Sequence, residues 1–205
     1  MTGNAQTQLD LGEYPNPHTQ AAPRLLTGDD VETRGTLAAW ATFSACGTYR
    51  YVLGRVWDDH GALLVVCMLN PSSATEEMLD PTLRRVRGFA HRDRYGGFVV
   101  VNCFALRSAD PRDVVQSLRK RTDPVGPRND EAIRAASDPP LGLLVAGWGR
   151  PANKAVNQRM TQVRGLGLRR PFYTFGPRTS GGYPRHPLYL RKDAPIIPWT
   201  GRWGQ

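Results

Sequence analysis

The chain has 205 residues, with 27 Lys or Arg against 18 Asp or Glu and a net charge of +9. That length suits one domain with a tail. No apolar run approaches the ~18 residues of a membrane span, and the polar first eleven residues lack the apolar stretch of a secretory leader. Cys46, Cys67 and Cys103 are odd in number and unevenly spaced, which favours free thiols over a disulfide framework or a zinc site. A soluble, cytoplasmic protein is predicted, with no metal and no cofactor.

In chain order, residues 1–30 are polar and aperiodic and read as a flexible arm, leaving 31–205 as a single α/β domain. Residues 49–57 alternate aromatic and β-branched side chains as a strand does. Asp58-Asp59-His60-Gly61 is turn chemistry, and residues 62–69 return as a continuous apolar strand, so an antiparallel hairpin leading into a buried central strand is expected. Asp80-Pro81 starts a helix, with Asp as N-cap and Pro in the first turn. Leu83, Val86, Phe89 and Ala90 share one face of it. Gly96-Gly97 ends that helix, and residues 98–102 form the next strand. Asp110-Pro111 opens a helix to about residue 118, and another runs from Asn129 or Asp130 to Ala136, with Asp130 as its cap. A strand over 141–146, a helix over 152–164 and a strand over 171–175 complete the pattern. Short apolar strands alternating with helices predict a layered α/β domain with a mostly parallel central sheet.

In such sheets, ligands sit beyond the carboxyl ends of the strands. The predicted strand ends carry Asn70-Pro71-Ser72, Asn102-Cys103-Phe104, Gly147-Trp148-Gly149 and, further on, Arg185-His186-Pro187. Asn70 either positions a water or merely ends a strand in an Asn-Pro turn, and Ser72 is a candidate phosphate contact. Asn102 is suited to bidentate contact with a nucleobase edge, or else satisfies an Asx turn. Phe104 and Trp148 are either ligand-stacking rings or core side chains. His186 is a candidate proton donor or anion stabiliser and Arg185 a candidate phosphate contact, unless both are plain surface residues. Residues 150–205 hold eleven Lys or Arg against one acid, a balance of +10 that leaves the rest at −1. This concentration suits a polyanionic partner, or is a solubility feature.

Taken together, Leu69-Asn70-Pro71-Ser72-Ser73, Asp80-Pro81-Thr82, Val99-Val100-Val101-Asn102-Cys103-Phe104-Ala105-Leu106-Arg107, Asp123-Pro124-Val125-Gly126-Pro127-Arg128-Asn129-Asp130, Gly147-Trp148-Gly149 and Pro184-Arg185-His186-Pro187-Leu188-Tyr189-Leu190 closely resemble an uncharacterised bacterial and phage domain family, over residues 49–190. More distantly, the order Asn70-Pro71, Asn102, Trp148-Gly149, His186-Pro187 is similar to the uracil-DNA glycosylase superfamily. There, a water-activating loop follows the first strand, a base-reading Asn the second, and a His-Pro loop closes on the substrate. The resemblance implies a glycosylase-like layered fold. It also implies N-glycosidic bond hydrolysis with Asn70 and His186 as catalytic residues, with Ser72, Asn102, Phe104, Trp148 and Arg185 contacting the substrate. The implied partner is a nucleobase-containing small molecule or a nucleic acid. A noncatalytic nucleotide or nucleic-acid binding module is the alternative.

Overall fold

The computed structural model describes residues 25–72, 74–75, 77–138 and 141–200. Eight strands, β1 (Val31–Gly35), β2 (Ala39–Ser44), β3 (Arg50–Val56), β4 (Leu63–Met68), β5 (Gly97–Asn102), β6 (Leu144–Ala146), β7 (Phe172–Phe175) and β8 (Ile196–Pro198), form one sheet in the order β1-β2-β3-β5-β4-β6-β7-β8. The helices are α1 (Pro81–Arg92), α2 (Arg112–Arg119), α3 (Asn129–Ala136) and α4 (Lys154–Arg164).

The α/β layering is as expected, but the sheet is mixed. A central parallel block, β5-β4-β6-β7, is flanked by antiparallel β1, β2 and β3 on one side and antiparallel β8 on the other. Four of the seven pairings are therefore antiparallel, which corrects the expectation of a mostly parallel sheet. The expected hairpin is corrected too, because β5 lies between β3 and β4. Its first residue, Gly97, opposes Val56 on one side and Leu63 on the other. A Cβ there would fall 2.2 Å from the Arg55 carbonyl oxygen and 2.6 Å from Leu63 Cδ2, so only glycine fits this entry point. The turn-like residues 57–61 serve this insertion instead of a hairpin. The amides of Trp57 and Asp58 both donate to Gly96 O, at 2.9 Å each.

The central strands are buried on both faces, and successive residues feed opposite cores. Leu63, Val65 and Cys67, with Val99 and Val101, pack beneath α2, α3 and α4. Leu64, Val66 and Met68, with Phe98 and Val100, pack beneath α1. Helix α1 contributes Leu83, Val86, Phe89 and Ala90. Burying each of its large side chains contributes ~1.5–3 kcal/mol. Its N-cap is Asp80, whose carboxylate accepts from Leu83 N at 2.7 Å.

Three further expectations change. Residues 25–30 belong to the body and not to an arm: Leu26 is buried, and Arg128 bonds Asp30 at 2.5 Å and Thr27 O at 3.2 Å. The rest of the expected arm, residues 1–24, lies outside the described residues. Asp130 is not a cap, since it pairs with the buried Arg159 at 2.5 Å. Phe104 is a core side chain with no exposed surface, because the chain after Asn102 turns inward beneath α3. Among the described residues, no helix is long and apolar enough to cross a membrane.

Candidate functional site

Parallel register brings the predicted loops together. Met68 is level with Asn102, and Cys67 is level with Ala146, so β4, β5 and β6 deliver their following residues to one rim. There a cavity of about 400 Å³ is lined by Asn70, Ser72, Asn102, Trp148 and His186 among others. That size lies in the range of small-ligand sites.

Asn102 lies at the cavity floor, 1% exposed. Neither its Oδ1 nor its Nδ2 has a hydrogen-bond partner among the described residues. Leaving such groups unsatisfied costs ~1–3 kcal/mol each. Its backbone, in contrast, is held firmly. Asn129 Nδ2 donates to the carbonyls of Asn102 and Cys103 at 2.9 and 3.1 Å, and Arg159 Nε donates to Cys103 O at 2.7 Å. The Arg128-Asn129-Asp130 run is thereby explained residue by residue. Arg128 ties residues 27–30 to α3, Asn129 braces Asn102, and Asp130 holds the arginine that braces Cys103.

Asn70 is spent differently. Its Nδ2 donates to Pro71 O and Ser108 O at 3.1 and 3.0 Å, and its Oδ1 bonds nothing among the described residues. Ser72 Oγ donates to Asp80, the one carboxylate among the described residues lining the cavity. The loop is also clamped from β3: Arg50 Nη1 donates to Ala74 O, and Arg55 Nη2 donates to Thr75 O at 2.8 Å. Arg50 is 2% exposed and itself lines the cavity.

The two glycines around Trp148 seat the loop that follows β7. A Cβ on Gly147 would come within 2.8 Å of Met68 Sδ and 3.2 Å of Pro187 Cγ. Gly149 has φ +75°, and a Cβ there would approach His186 Cβ at 3.6 Å. His186 is thus held at the cavity wall 5.5 Å, centroid to centroid, from the exposed ring of Tyr189. Burial pushes its imidazole below the ordinary value, partly offset by the negative charge of Asp80. The shift favours the neutral ring over the charged one. Trp148 packs edge-on against Phe172 at 5.2 Å and also contacts Trp199 at 5.7 Å, so it is both core and cavity wall.

Arg185 does not line the cavity. It is exposed, and its Nε turns back to Pro177 O at 3.0 Å. The basic C-terminal quarter is also less open than its composition suggests. Arg159 is internal, while Arg169 and Arg191 pair with Asp138 and Asp193. Arg150 does reach the cavity. Sequence reasoning missed Arg50, Asp80 as a cavity group, Tyr189 and the bracing Asn129. An arginine inside the aromatic strand 49–57 was the available signal for Arg50, since an unneeded buried cation is rare.

A parallel block with loops from three strands and a His-Pro loop meeting at one cavity defines an α/β domain with a mixed sheet. The family model described as "Protein of unknown function (DUF1643)" matches residues 50–188, and the chain belongs to that family. No curated protein and no solved structure matches it.

Proposed function

We propose that this cavity takes a nucleobase-containing ligand and hydrolyses its N-glycosidic bond, in the manner of the uracil-DNA glycosylases that the motif order resembles. The observation that carries the reading is Asn102. It is a carboxamide with one free acceptor and one free donor group, fixed at a cavity floor, and it complements the donor–acceptor edge of a planar base. A site built to hydrogen-bond such an edge discriminates strongly against ligands lacking it.

The remaining groups fit the chemistry of the step. Asn70 Oδ1 is an acceptor able to orient a water, and Asp80 is the cavity group able to take its proton. Water oxygen attacks the anomeric carbon, the carbon–nitrogen bond breaks, and its electron pair leaves with the base. His186 steadies that developing anion by N–H donation. Electrostatic stabilisation of the oxocarbenium-like state falls to Asp80.

The test is release of free base from nucleosides, nucleotides and short oligonucleotides, resolved by chromatography. Asn70→Ala should abolish turnover while binding falls only modestly. Binding with no base release by the wild type across that panel would overturn hydrolysis and leave a nucleotide or nucleic-acid binding module.

A further inference from the structure

A second hollow adjoins the cavity at Ser72. Ser72, Ser108 and Ala109 also line this hollow of about 410 Å³, so the two spaces lie on either side of these residues. Gly47, Thr48, Leu106 and Arg107 complete its lining, and Arg107 is the one charged residue among those described there. Its walls are fixed by backbone bonds: Arg107 N donates to Thr48 O at 3.1 Å, and Ser108 N to Pro71 O at 3.0 Å. The guanidinium is held as well. Nη1 donates to Gly47 O at 3.1 Å, and Cζ stands 4.8 Å from the centroid of the Phe43 ring. No carboxylate among the described residues pairs with Arg107. Nearby acids are engaged elsewhere, Asp110 by Arg112 and Asp113 by Ser108 Oγ.

A positioned guanidinium whose Nε and Nη2 bond nothing among the described residues, beside the hydroxyl-bearing Thr48, has the chemistry of a phosphate contact. We infer that the second hollow is a phosphate subsite, so the ligand spans both spaces with its base at Asn102 and a phosphate ester at Arg107. A phosphorylated nucleoside, and not a free base, is then the preferred ligand. This inference rests on the base-reading role of Asn102.

The experiment measures binding of nucleosides, their 5′-monophosphates, inorganic phosphate and a short single-stranded oligodeoxynucleotide to the full chain. The monophosphate should bind about tenfold more tightly than its nucleoside. Arg107→Gln should bring that ratio to about one while leaving nucleoside affinity unchanged. Arg107→Lys should keep part of it, retaining charge without the fork. Asn102→Ala should weaken nucleoside and monophosphate alike. If Arg107→Gln lowers the salt slope of oligonucleotide binding by about one phosphate contact, ~0.7 for a single strand, the phosphate belongs to a polymer. If only monophosphate binding responds, it belongs to a mononucleotide. Equal affinity of the wild type for nucleoside and monophosphate overturns the subsite, as does equal weakening of both by Arg107→Gln. Protection of Arg107 from phenylglyoxal by inorganic phosphate, with no nucleoside bound, would sink the base reading and leave the subsite standing. Absence of both effects would sink both.

Discussion

Two neighbouring strand ends treat the same amino acid in opposite ways. After β4, the loop spends its polar groups on itself. Asn70 bonds two carbonyls, Ser72 bonds Asp80, and arginines from β3 hold the carbonyls of Ala74 and Thr75. At the end of β5, the backbone is braced from outside by Asn129 and Arg159, while the Asn102 carboxamide bonds nothing among the described residues. Such a difference separates donors bonded within the fold from a buried amide left without a bond among the described residues. A buried amide is costly when idle, so rigidity invested behind an idle amide is the stronger functional signal.

The largest test of this contrast is Asn102→Ala. Two lost hydrogen bonds at ~1.4 kcal/mol each predict about a 100-fold loss of affinity for a base-containing ligand by calorimetry. The thermal midpoint should stay level or rise slightly, because no protein bond is lost. A clear fall in stability without loss of binding would make Asn102 structural. Next comes Asn129→Ala, which strips donors from two buried carbonyls. Its expected cost is ~1–3 kcal/mol by denaturant titration, together with weaker ligand binding. Normal binding would show that Asn102 needs no brace.

Ser72→Ala probes the other side of the comparison. Two hydrogen bonds in the loop's own network, to Asp80 and from Ala74 N, predict about 1 kcal/mol of stability each, with a midpoint shift of ~2–4 °C per kcal/mol for a chain of this size. Binding of an unphosphorylated nucleoside should be little changed, since Ser72 acts there by shaping the loop. The smallest effect is in pH. His186 is held below its ordinary value in the folded chain, so the unfolded chain takes up the proton first as pH falls. Its contribution is present in full above ~6.5 and is lost as pH drops through the lower folded value. His186→Gln should flatten that part of the stability–pH curve, and an unchanged curve would place the imidazole in water.

Local features of the chain were legible from sequence wherever one residue's chemistry decides the outcome. Asp80-Pro81 starts α1, and the apolar runs became β4, β5, β6 and β7. Strand partners were not legible. β3 is buried through Arg50–Arg55 and reads like any central strand, and nothing local announces that β5 separates it from β4. The short β8, ending in Pro198, and the exposed β1 carry little apolar pattern, so these two edge strands escaped notice. At the cavity, the strand-end asparagines were readable from their place after apolar runs, and the Gly-Trp-Gly run because close approach at Gly147 and a positive φ at Gly149 favour glycine. Arg50 and Asp80 were not, since each has an ordinary local use, in a strand and at a helix cap, that hides its place at the cavity.

The aromatic wall has a practical consequence. Trp148 borders the cavity while lying 5.7 Å from Trp199, close enough for the two indoles to exchange excitation energy. Whatever enters against Trp148 alters the light emitted by the pair. At the opposite, amino end of the parallel block, Trp57 stacks on His91 at 3.9 Å, away from the cavity. The native chain thus carries its own occupancy gauge, readable without a label and ready for screening unknown ligands.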